Sequence, residues 1–329
     1  MFHYPPGLCP HPGMKEQIEL PIGQSFRFLR WLGDCREVKV VVSPRELRPV
    51  RWEGTHWHYH LEMELALFET AEGTRYVGDH IGGFRGRDFV LIGENLPHFW
   101  EVTGRCSGCA VQWHFPPRHP IWNLPEMNGL AAFFADARQG IRFFGRTAET
   151  LGSQLQELQD YQGLDRLGLF LRLLHRLSAS PKTDQELLSK RTFSLASESQ
   201  YEVAMRDAVR HIVSNFSEEV HLPDLLRKLG MTKPTFSRQF RKHSGKTFTQ
   251  FVQQVRLEAA CKQLRETDTP VVKIAFNCGF TQISFFNRLF RRHCRLSPLA
   301  YRRKHQAQTP SAGIAQLPFL GLSGGAGWS

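Results

Sequence analysis

Three histidines alternate in the segment HWHYHLEME, at His56, His58 and His60, and Glu62 and Glu64 continue the same spacing. In a strand, successive side chains point to opposite faces, so this alternation predicts all five on one face. A fourth histidine, His98, follows Pro97 in GRDFVLIGENLPHFW (86–100), 38 residues after His60, and Trp100 comes two residues later. Imidazoles and carboxylates gathered on one face have three uses. They coordinate a metal, they hydrogen-bond a polar ligand, or they satisfy one another inside a folded core. Trp100 and Trp113 offer flat apolar faces for a sugar ring, with His, Glu and Arg reaching its hydroxyls, and equally are ordinary core material. All three readings stay open on these residues alone.

A second set of residues suits nucleic acid. LPDLLRKLGMTKPTFSRQFRKHSGKTF (222–248) and VVKIAFNCGFTQISFFNRLFRRHCRLSP (271–298) are two copies of one helix-turn-helix pattern. Gly230 aligns with Gly279, Phe240 with Phe290, and Arg241-Lys242-His243 with Arg291-Arg292-His293. In the first copy Leu222, Leu225, Leu226 and Leu229 face inward, and Gly230 ends the helix by adopting positive φ. Thr232 is placed as an N-cap with Pro234 in the following turn, and Phe236 and Phe240 point to the core. The opposite face carries Lys233, Ser237, Arg238, Arg241 and Lys242. Arginine pairs bidentately with guanine, serine serves either base, and Lys or Arg neutralises phosphate. In the second copy Ile274 and Ala275 pack, Cys278 and Gly279 turn, and Phe285, Phe286 and Phe290 fill the core. Gln282, Ser284, Asn287, Arg288, Arg291 and Arg292 remain for DNA. Between the copies, FTQFVQQVRLEAACKQL reads as one helix with Phe251, Val255, Ala259 or Ala260, and Leu264 on a stripe. A rigid helix of this kind sets the two readers about one DNA turn apart, ~34 Å.

Charge supports this assignment. Residues 201–305 hold 20 Lys and Arg against 8 Asp and Glu, whereas the other 224 residues hold 22 against 23. A basic excess confined to the repeated helices favours phosphate binding. The seven cysteines are scattered and odd in number, as in a reduced cytoplasmic protein. The Cys106-Ser107-Gly108-Cys109 pair has no second pair and no thioredoxin-like context, so it reads as structural. No apolar run reaches the ~20 residues of a membrane span. The first residues lack the charged and apolar regions of a signal peptide, and Met14 is a second candidate start. Neither a glycine-rich phosphate loop nor a serine nucleophile elbow is present.

These groups need elements to hold them. Runs at 37–42, 64–68, 74–77, 88–92 and 110–115 read as strands, separated by turn signals at Glu72-Gly73, Gly82-Gly83 and Gly86. Many short strands fit a small barrel or sandwich. After Pro125 the pattern turns helical. Leu151, Leu155 and Leu158 form one stripe and Leu164, Leu167, Leu171 and Leu174 another, which suits helix pairing within or between subunits.

Two resemblances follow. RLEAACKQLRETDTPVVKIAFNCGFTQISFFNRLFRRHCRLSPLAYRR (256–303) resembles the signature of the AraC family of bacterial transcription regulators. The matching positions are Arg256, Ala260, Leu264, Ile274, Ala275, Gly279, Phe280, Ser284, Phe285, Phe286, Arg288, Phe290, Ser297, Pro298, Tyr301 and Arg302. Leu226 departs where the family usually has alanine, and Arg295 departs where glycine commonly ends the second reading helix. The histidine segment is similar to the two motifs of the cupin fold, which carries over to His58, His60, Glu64 and His98. In metal-binding cupins those groups hold Fe, Mn, Ni or Zn.

The chain is therefore expected to have a two-domain fold. Its N-terminal part is an all-β cupin-like barrel with appended helices, and its C-terminal part is all-α with two helix-turn-helix subdomains. The expected divisions are a disordered extension (1–20), an effector domain (21–120), a helical dimerisation region (121–180), a linker (181–200), a DNA-binding domain (201–305) and a disordered tail (306–329). The expected function is a cytoplasmic, non-enzymatic, sequence-specific regulator, an activator by family analogy. Its expected partners are promoter DNA, RNA polymerase, a second copy of the chain and a small-molecule effector, a carbohydrate by family analogy, with no membrane. The effector site is assigned to His58, His60, Glu64, His98 and Trp100, with no resident cofactor. The competing expectation is a metal-dependent cupin enzyme, with metal on His58, His60, Glu64 and His98, fused to a DNA-binding domain.

Overall fold

The computed structural model describes residues 15–306 except 22, 36, 51–55 and 194–200. Most of the expected N-terminal extension and C-terminal tail therefore lies outside the described residues, as does part of the expected linker.

Seven strands come first: β1 (Phe26–Gly33), β2 (Lys39–Ser43), β3 (Glu46–Pro49), β4 (Met63–Val77), β5 (His80–Ile92), β6 (His98–Thr103) and β7 (Cys106–Trp113). Helix α1 (Leu130–Ala137), strand β8 (Ile141–Phe143), helices α2 (Gly145–Glu157) and α3 (Gly163–Ser178) and strand β9 (Gln185–Leu187) follow. All nine strands belong to one antiparallel sheet, ordered β3-β2-β1-β7-β4-β5-β8-β9, with β6 paired to β4. Period-two alternation divides the side chains between two cores. Ala66, Phe68, Val90, Ile92 and Ala110 face one, and Leu65, Leu67, Phe89, Leu91 and Val111 face the other.

The second of these cores is covered by α1, α2 and α3. Leu151, Leu155 and Leu158 are buried there as expected. The stripe on α3 is shifted, because the helix is leucine-rich on several sides. Leu169, Phe170, Leu173, Leu174 and Leu177 are buried, Leu167 and Leu171 are partly covered, and Leu164 is 81% exposed. The buried stripe packs on the chain's own sheet. The expected linker is also more ordered than its polarity suggested. Strand β9 pairs with β8, and Leu188 and Phe193 are buried.

Seven helices follow among the described residues: α4 (Glu202–Asn215), α5 (Leu222–Leu229), α6 (Lys233–Ser244), α7 (Phe248–Glu266), α8 (Val271–Asn277), α9 (Ile283–Cys294) and α10 (Pro298–Gln306). Gly230 ends α5 at φ 63°. Gly279 sits at φ 81°, and a Cβ there would lie 2.6 Å from the Phe216 carbonyl oxygen and against the Arg256 guanidinium, so only glycine fits. Thr232 occupies the N-cap position of α6, but its hydroxyl bonds Thr235 Oγ1 and not the helix backbone. A capping box closes the start of α7, with Thr247 and Gln250 bonding each other's backbone amides. Helix α7 runs 19 residues, about 28 Å at 1.5 Å per residue.

The two reading units are anchored differently. Leu225, Phe236, Phe240, Phe251 and Val255 belong to the first sheet core, together with Trp57, Tyr76 and Phe99. Ala260, Leu264, Ile274, Phe280, Phe286 and Phe290 form a separate core.

Candidate nucleic-acid interface and effector site

Helices α6 and α9 each bury two phenylalanines four residues apart, Phe236 and Phe240, and Phe286 and Phe290. That spacing turns the opposite face outward. Lys233, Ser237, Arg238, Arg241 and Lys242 are all exposed on α6. Gln282, Ser284, Arg288, Arg291 and Arg292 are exposed at and along α9, and Asn287 is half-buried. Phe285 was expected in the core. It is instead half-buried beneath Arg288, whose guanidinium lies 5.5 Å from the ring centroid, a cation–π contact that orients the arginine. Ser284, Asn287, Arg288, Arg291, Arg292 and Arg295 line an open cleft of about 530 Å³ with no acidic residue in its wall.

Arg295 adopts φ 57° and donates its backbone N–H to the Arg291 carbonyl. The left-handed turn usually supplied by glycine is therefore kept, with a fourth guanidinium in the cleft. Other signature arginines hold the scaffold. Arg256 bonds the Phe216 and Glu218 carbonyls at 2.7 Å each, and Arg302 bonds the Thr269 carbonyl.

On the sheet, His58, His60 and His98 converge, with one ligand atom of each within 4.8 Å of the others. Each ring turns its Nδ1 to a backbone carbonyl. His58 Nδ1 meets the His56 carbonyl at 2.6 Å, His60 Nδ1 the Glu62 carbonyl at 2.9 Å, and His98 Nδ1 the Leu96 carbonyl at 2.7 Å. With each Nδ1 donating to backbone, the Nε2 atoms are left facing inward. Glu64 Oε2 lies 3.2 Å from His60 Nε2 and 3.9 Å from His98 Nε2, and it accepts from Gln112 at 2.5 Å. Arg27 Nε in turn donates to Gln112. Burial alone would raise the Glu64 carboxyl, but His60 and His98 beside it hold it well below the usual carboxylate range. Burial, with His98 and His60 alongside, pushes His58 well below its ordinary value and keeps it neutral. Three inward Nε2 atoms and one carboxylate make a chemically suitable donor set for a divalent transition metal.

The expected single row of five is broken because 56–60 forms only isolated bridges and not a strand. His56 lies beside Arg206, Asp207 and Arg210, and burial first, then Arg210 and Arg206, lower it to about 4. Trp100 is buried 5.9 Å from His98, but its indole N–H is spent on Asp88 Oδ2 at 2.9 Å. Trp113 is buried in the opposite core, so the two tryptophans do not share a pocket. Cys106 and Cys109 face different cores, Cys106 the first and Cys109 the second.

Among known proteins, a helix-turn-helix domain model matches residues 225–304. The transcriptional activator RhaS of Pectobacterium carotovorum is 25% identical over 285 residues, covering 83% of this chain and 94% of that protein. The regulatory protein PocR of Salmonella typhimurium is 32% identical over 100 residues, covering 30% of this chain and 33% of that protein. The solved structure of ToxT from Vibrio cholerae covers 85% of this chain and 98% of that one, at 11% identity and a TM-score of 0.33. The matched domain and these relatives support an AraC-family regulator. The chain is a DNA-binding regulator with a sheet domain on its N-terminal side, and none of its described helices is long and apolar enough to cross a membrane.

Several residues at the histidine site carried no sequence signal. Glu16, within the stretch expected to be disordered, places Oε2 3.5 Å from His58 Nε2, and its backbone N–H bonds the Tyr59 carbonyl. Arg27 and Gln112 back Glu64 from distant strands. Trp57 and Tyr59 were legible only as the odd positions of the alternation. Trp57 packs edge-on against Phe251 of α7, with centroids 6.5 Å apart, and the Tyr59 hydroxyl bonds Glu202 at the start of α4.

Proposed function

We propose that this regulator reads promoter DNA with α6 and α9 and that occupancy of the His58–His60–His98–Glu64 site resets the readers. One observation carries the coupling. Between 57 and 60, the even residues His58 and His60 face the site, while the odd residues Trp57 and Tyr59 touch α7 and α4. A ligand that repositions the histidines therefore moves the contacts of the first reading unit. It acts only to the extent that it binds one arrangement better than the other.

In the reading helices, Arg238 and Arg288 are assigned to base edges, with Ser237, Gln282, Ser284 and Asn287 beside them. Lys233, Arg241, Lys242, Arg291 and Arg292 are assigned to phosphate. The arginine-lined cleft on α9 supports that division. Activation through RNA polymerase in the cytoplasm is the reading closest to the relatives, whose names describe an activator. Self-association would use the outer face of α3, where Leu164 stands exposed.

The effector is read as a small polar molecule, a sugar in the first instance, whose hydroxyls meet the imidazole Nε2 atoms and Glu64. The site is read as a sensor and not a catalytic centre. The convergence of three Nε2 atoms favours one second reading, a divalent metal held by His58, His60, His98 and Glu64. Such an ion would supply an anchoring charge for an anionic or hydroxylated ligand.

The test is a thermal-shift screen of the full chain against sugars, sugar acids and divalent metals, with metal analysis of the purified protein. The full chain is required because the sheet shares its core with the first reading unit. A ligand at 100 times its dissociation constant adds ~2.7 kcal/mol. A sugar shift in metal-free protein, lost in His98→Ala, supports the sensor. Stoichiometric metal with a metal-only shift moves the reading to a metal sensor. No shift with either class removes the site from the mechanism.

A further inference from the structure

Cys261 and Cys294 lie in different elements of the second reading unit, and their sulfurs are 3.3 Å apart. Cys261 is on α7 with only 2% of its surface exposed, and Cys294 is the half-buried last residue of α9. We propose that these two thiols are a reversible oxidation site, closed to a disulfide by hydroperoxides, that weakens DNA reading by α9.

The geometry is close to what the product needs. A disulfide spans about 2.05 Å between sulfurs, so the gap closes by little more than 1 Å. The two thiols are unequal in a useful sense. Cys294 is held below the usual thiol range, first by the hydrogen bond from Cys261, against the effect of burial, and then by His293. Cys261 is pushed well up, first by that same hydrogen bond and then by burial. Cys294 is thus the more exposed sulfur and the one nearer its thiolate form, and Cys261 is the resolving thiol behind it.

The chemistry balances with hydrogen peroxide as oxidant. The Cys294 thiolate attacks one peroxide oxygen, the O–O bond breaks, and the departing hydroxide takes a proton to leave as water. Cys294 is then a sulfenic acid. The Cys261 sulfur attacks the Cys294 sulfur, the S–O bond breaks, and the hydroxide leaves with the Cys261 proton as a second water. Two thiols have lost two hydrogens and the peroxide has become two waters. A dithiol reverses the reaction by exchange.

The link to DNA is positional. Cys294 follows His293, which pairs with Glu258 of α7 at 2.6 Å, and precedes Arg295 of the cleft. Drawing the end of α9 onto α7 moves Arg288, Arg291, Arg292 and Arg295 together, and hydrogen bonds to base edges tolerate little displacement. The expected loss is about tenfold in affinity, on the scale of one bidentate base contact.

The test uses full-length reduced protein treated with a few equivalents of hydrogen peroxide, then alkylated and digested without reductant. The expected product is a Cys261–Cys294 peptide pair two hydrogens lighter than the free thiols and reopened by dithiothreitol. Cys261→Ser should strand Cys294 as a sulfenic acid that dimedone traps, and Cys294→Ser should leave Cys261 unmodified. Against a duplex selected from random sequence by the reduced protein, the oxidised form should bind about tenfold more weakly, on the scale of one such contact. Dithiothreitol should restore that binding, and Cys294→Ser should be indifferent to peroxide. Recovery of both cysteines as free thiols while Cys35 or Cys106 oxidises overturns the site. A disulfide with unchanged DNA affinity overturns its regulatory role. The DNA effect rests on α9 as a reader, and Arg288→Ala in reduced protein checks that separately. If that variant binds like the parent, the reading of α9 fails while the mass measurement still decides the thiol pair.

Discussion

The two helix-turn-helix units share a sequence pattern but not a foundation. The first has no core of its own: Phe236, Phe240 and Phe251 are continuous with Trp57, Tyr76 and Phe99 of the sheet domain. The second keeps its own core around Phe286 and Phe290. It reaches the sheet through polar contacts from α7, where Glu258 accepts the Gly83 N–H at 3.0 Å and Lys262 donates to Thr103 Oγ1 at 2.9 Å. The aligned histidines mark the same divide. His243 is buried and lowered to about 4 by burial and then Lys242. His293 is raised, mainly by its hydrogen bond to Glu258. Under the proposed coupling, a signal from the sheet would reach the first unit through shared packing and the second through a few directed bonds.

The strongest way to break this contrast is to empty each core. Phe251→Ala removes a fully buried ring that touches Trp57, Tyr76 and Phe240, at a cost of ~3–5 kcal/mol. Hydrogen exchange should then speed up in the sheet and in α5–α6 together. Phe286→Ala carries a similar cost, but the added exchange should stay within α8–α10. Acceleration confined to α5–α6 in the first variant would show that the shared core is not one cooperative unit.

DNA binding sharpens the contrast at the next level. Arg238→Ala and Arg288→Ala are each expected to weaken specific binding by ~1–3 kcal/mol. Lys242→Ala should weaken specific and non-specific duplexes alike, with the salt slope shallower by about 1. Equal losses on every sequence for the two arginines would reassign them to phosphate.

The helical half was largely legible because its signals are local. Gly230, Gly279 and the Phe pairs mark turns and faces that need no distant partner. In the sheet, the glycines misled. Glu72-Gly73 read as a turn, yet β4 continues through it with a bulge between Phe68 and Ala71. Gly73 is there because a Cβ would lie 2.1 Å from the Glu101 carbonyl oxygen of β6. Gly82-Gly83 likewise lies inside β5. At the histidine site, His58, His60, Glu64 and His98 were legible from motif spacing. Glu16, Arg27 and Gln112 were not, since their roles come only from tertiary pairing. The same holds for Trp57 and Tyr59, whose partners lie in another domain.

Glu258 separates the two kinds of coupling more gently. Glu258→Gln keeps an oxygen for the Gly83 N–H but loses the charge that pairs with His293. Pairing raises His293 above its ordinary value of 6.5. The added stability is therefore fully present below that value and is lost as pH climbs through the raised one. Denaturation of the two proteins should differ by ~1 kcal/mol under mildly acidic conditions and converge as pH climbs through that raised value. A difference that does not change with pH would show that the lost contact is packing and not the ion pair.

The smallest effect concerns the turns that end the two reading helices. Gly245 closes α6 at φ 69°, and a Cβ there would lie 2.5 Å from the Asp79 side chain, beneath the β4–β5 turn. Arg295 closes α9 at φ 57° and forms part of the open cleft. Only the unit standing clear of the sheet can carry a side chain at this position. A non-glycine residue in the left-handed region costs ~1–2 kcal/mol, while the extra freedom glycine loses on folding costs ~0.5–1 kcal/mol. Arg295→Gly should therefore stabilise the second unit by ~0.5–1 kcal/mol in denaturant titration, the difference of those two terms. It should also make the salt dependence of DNA binding shallower by about one charge. Stability gained with an unchanged salt slope would mean that Arg295 is tolerated at the turn but does not meet phosphate.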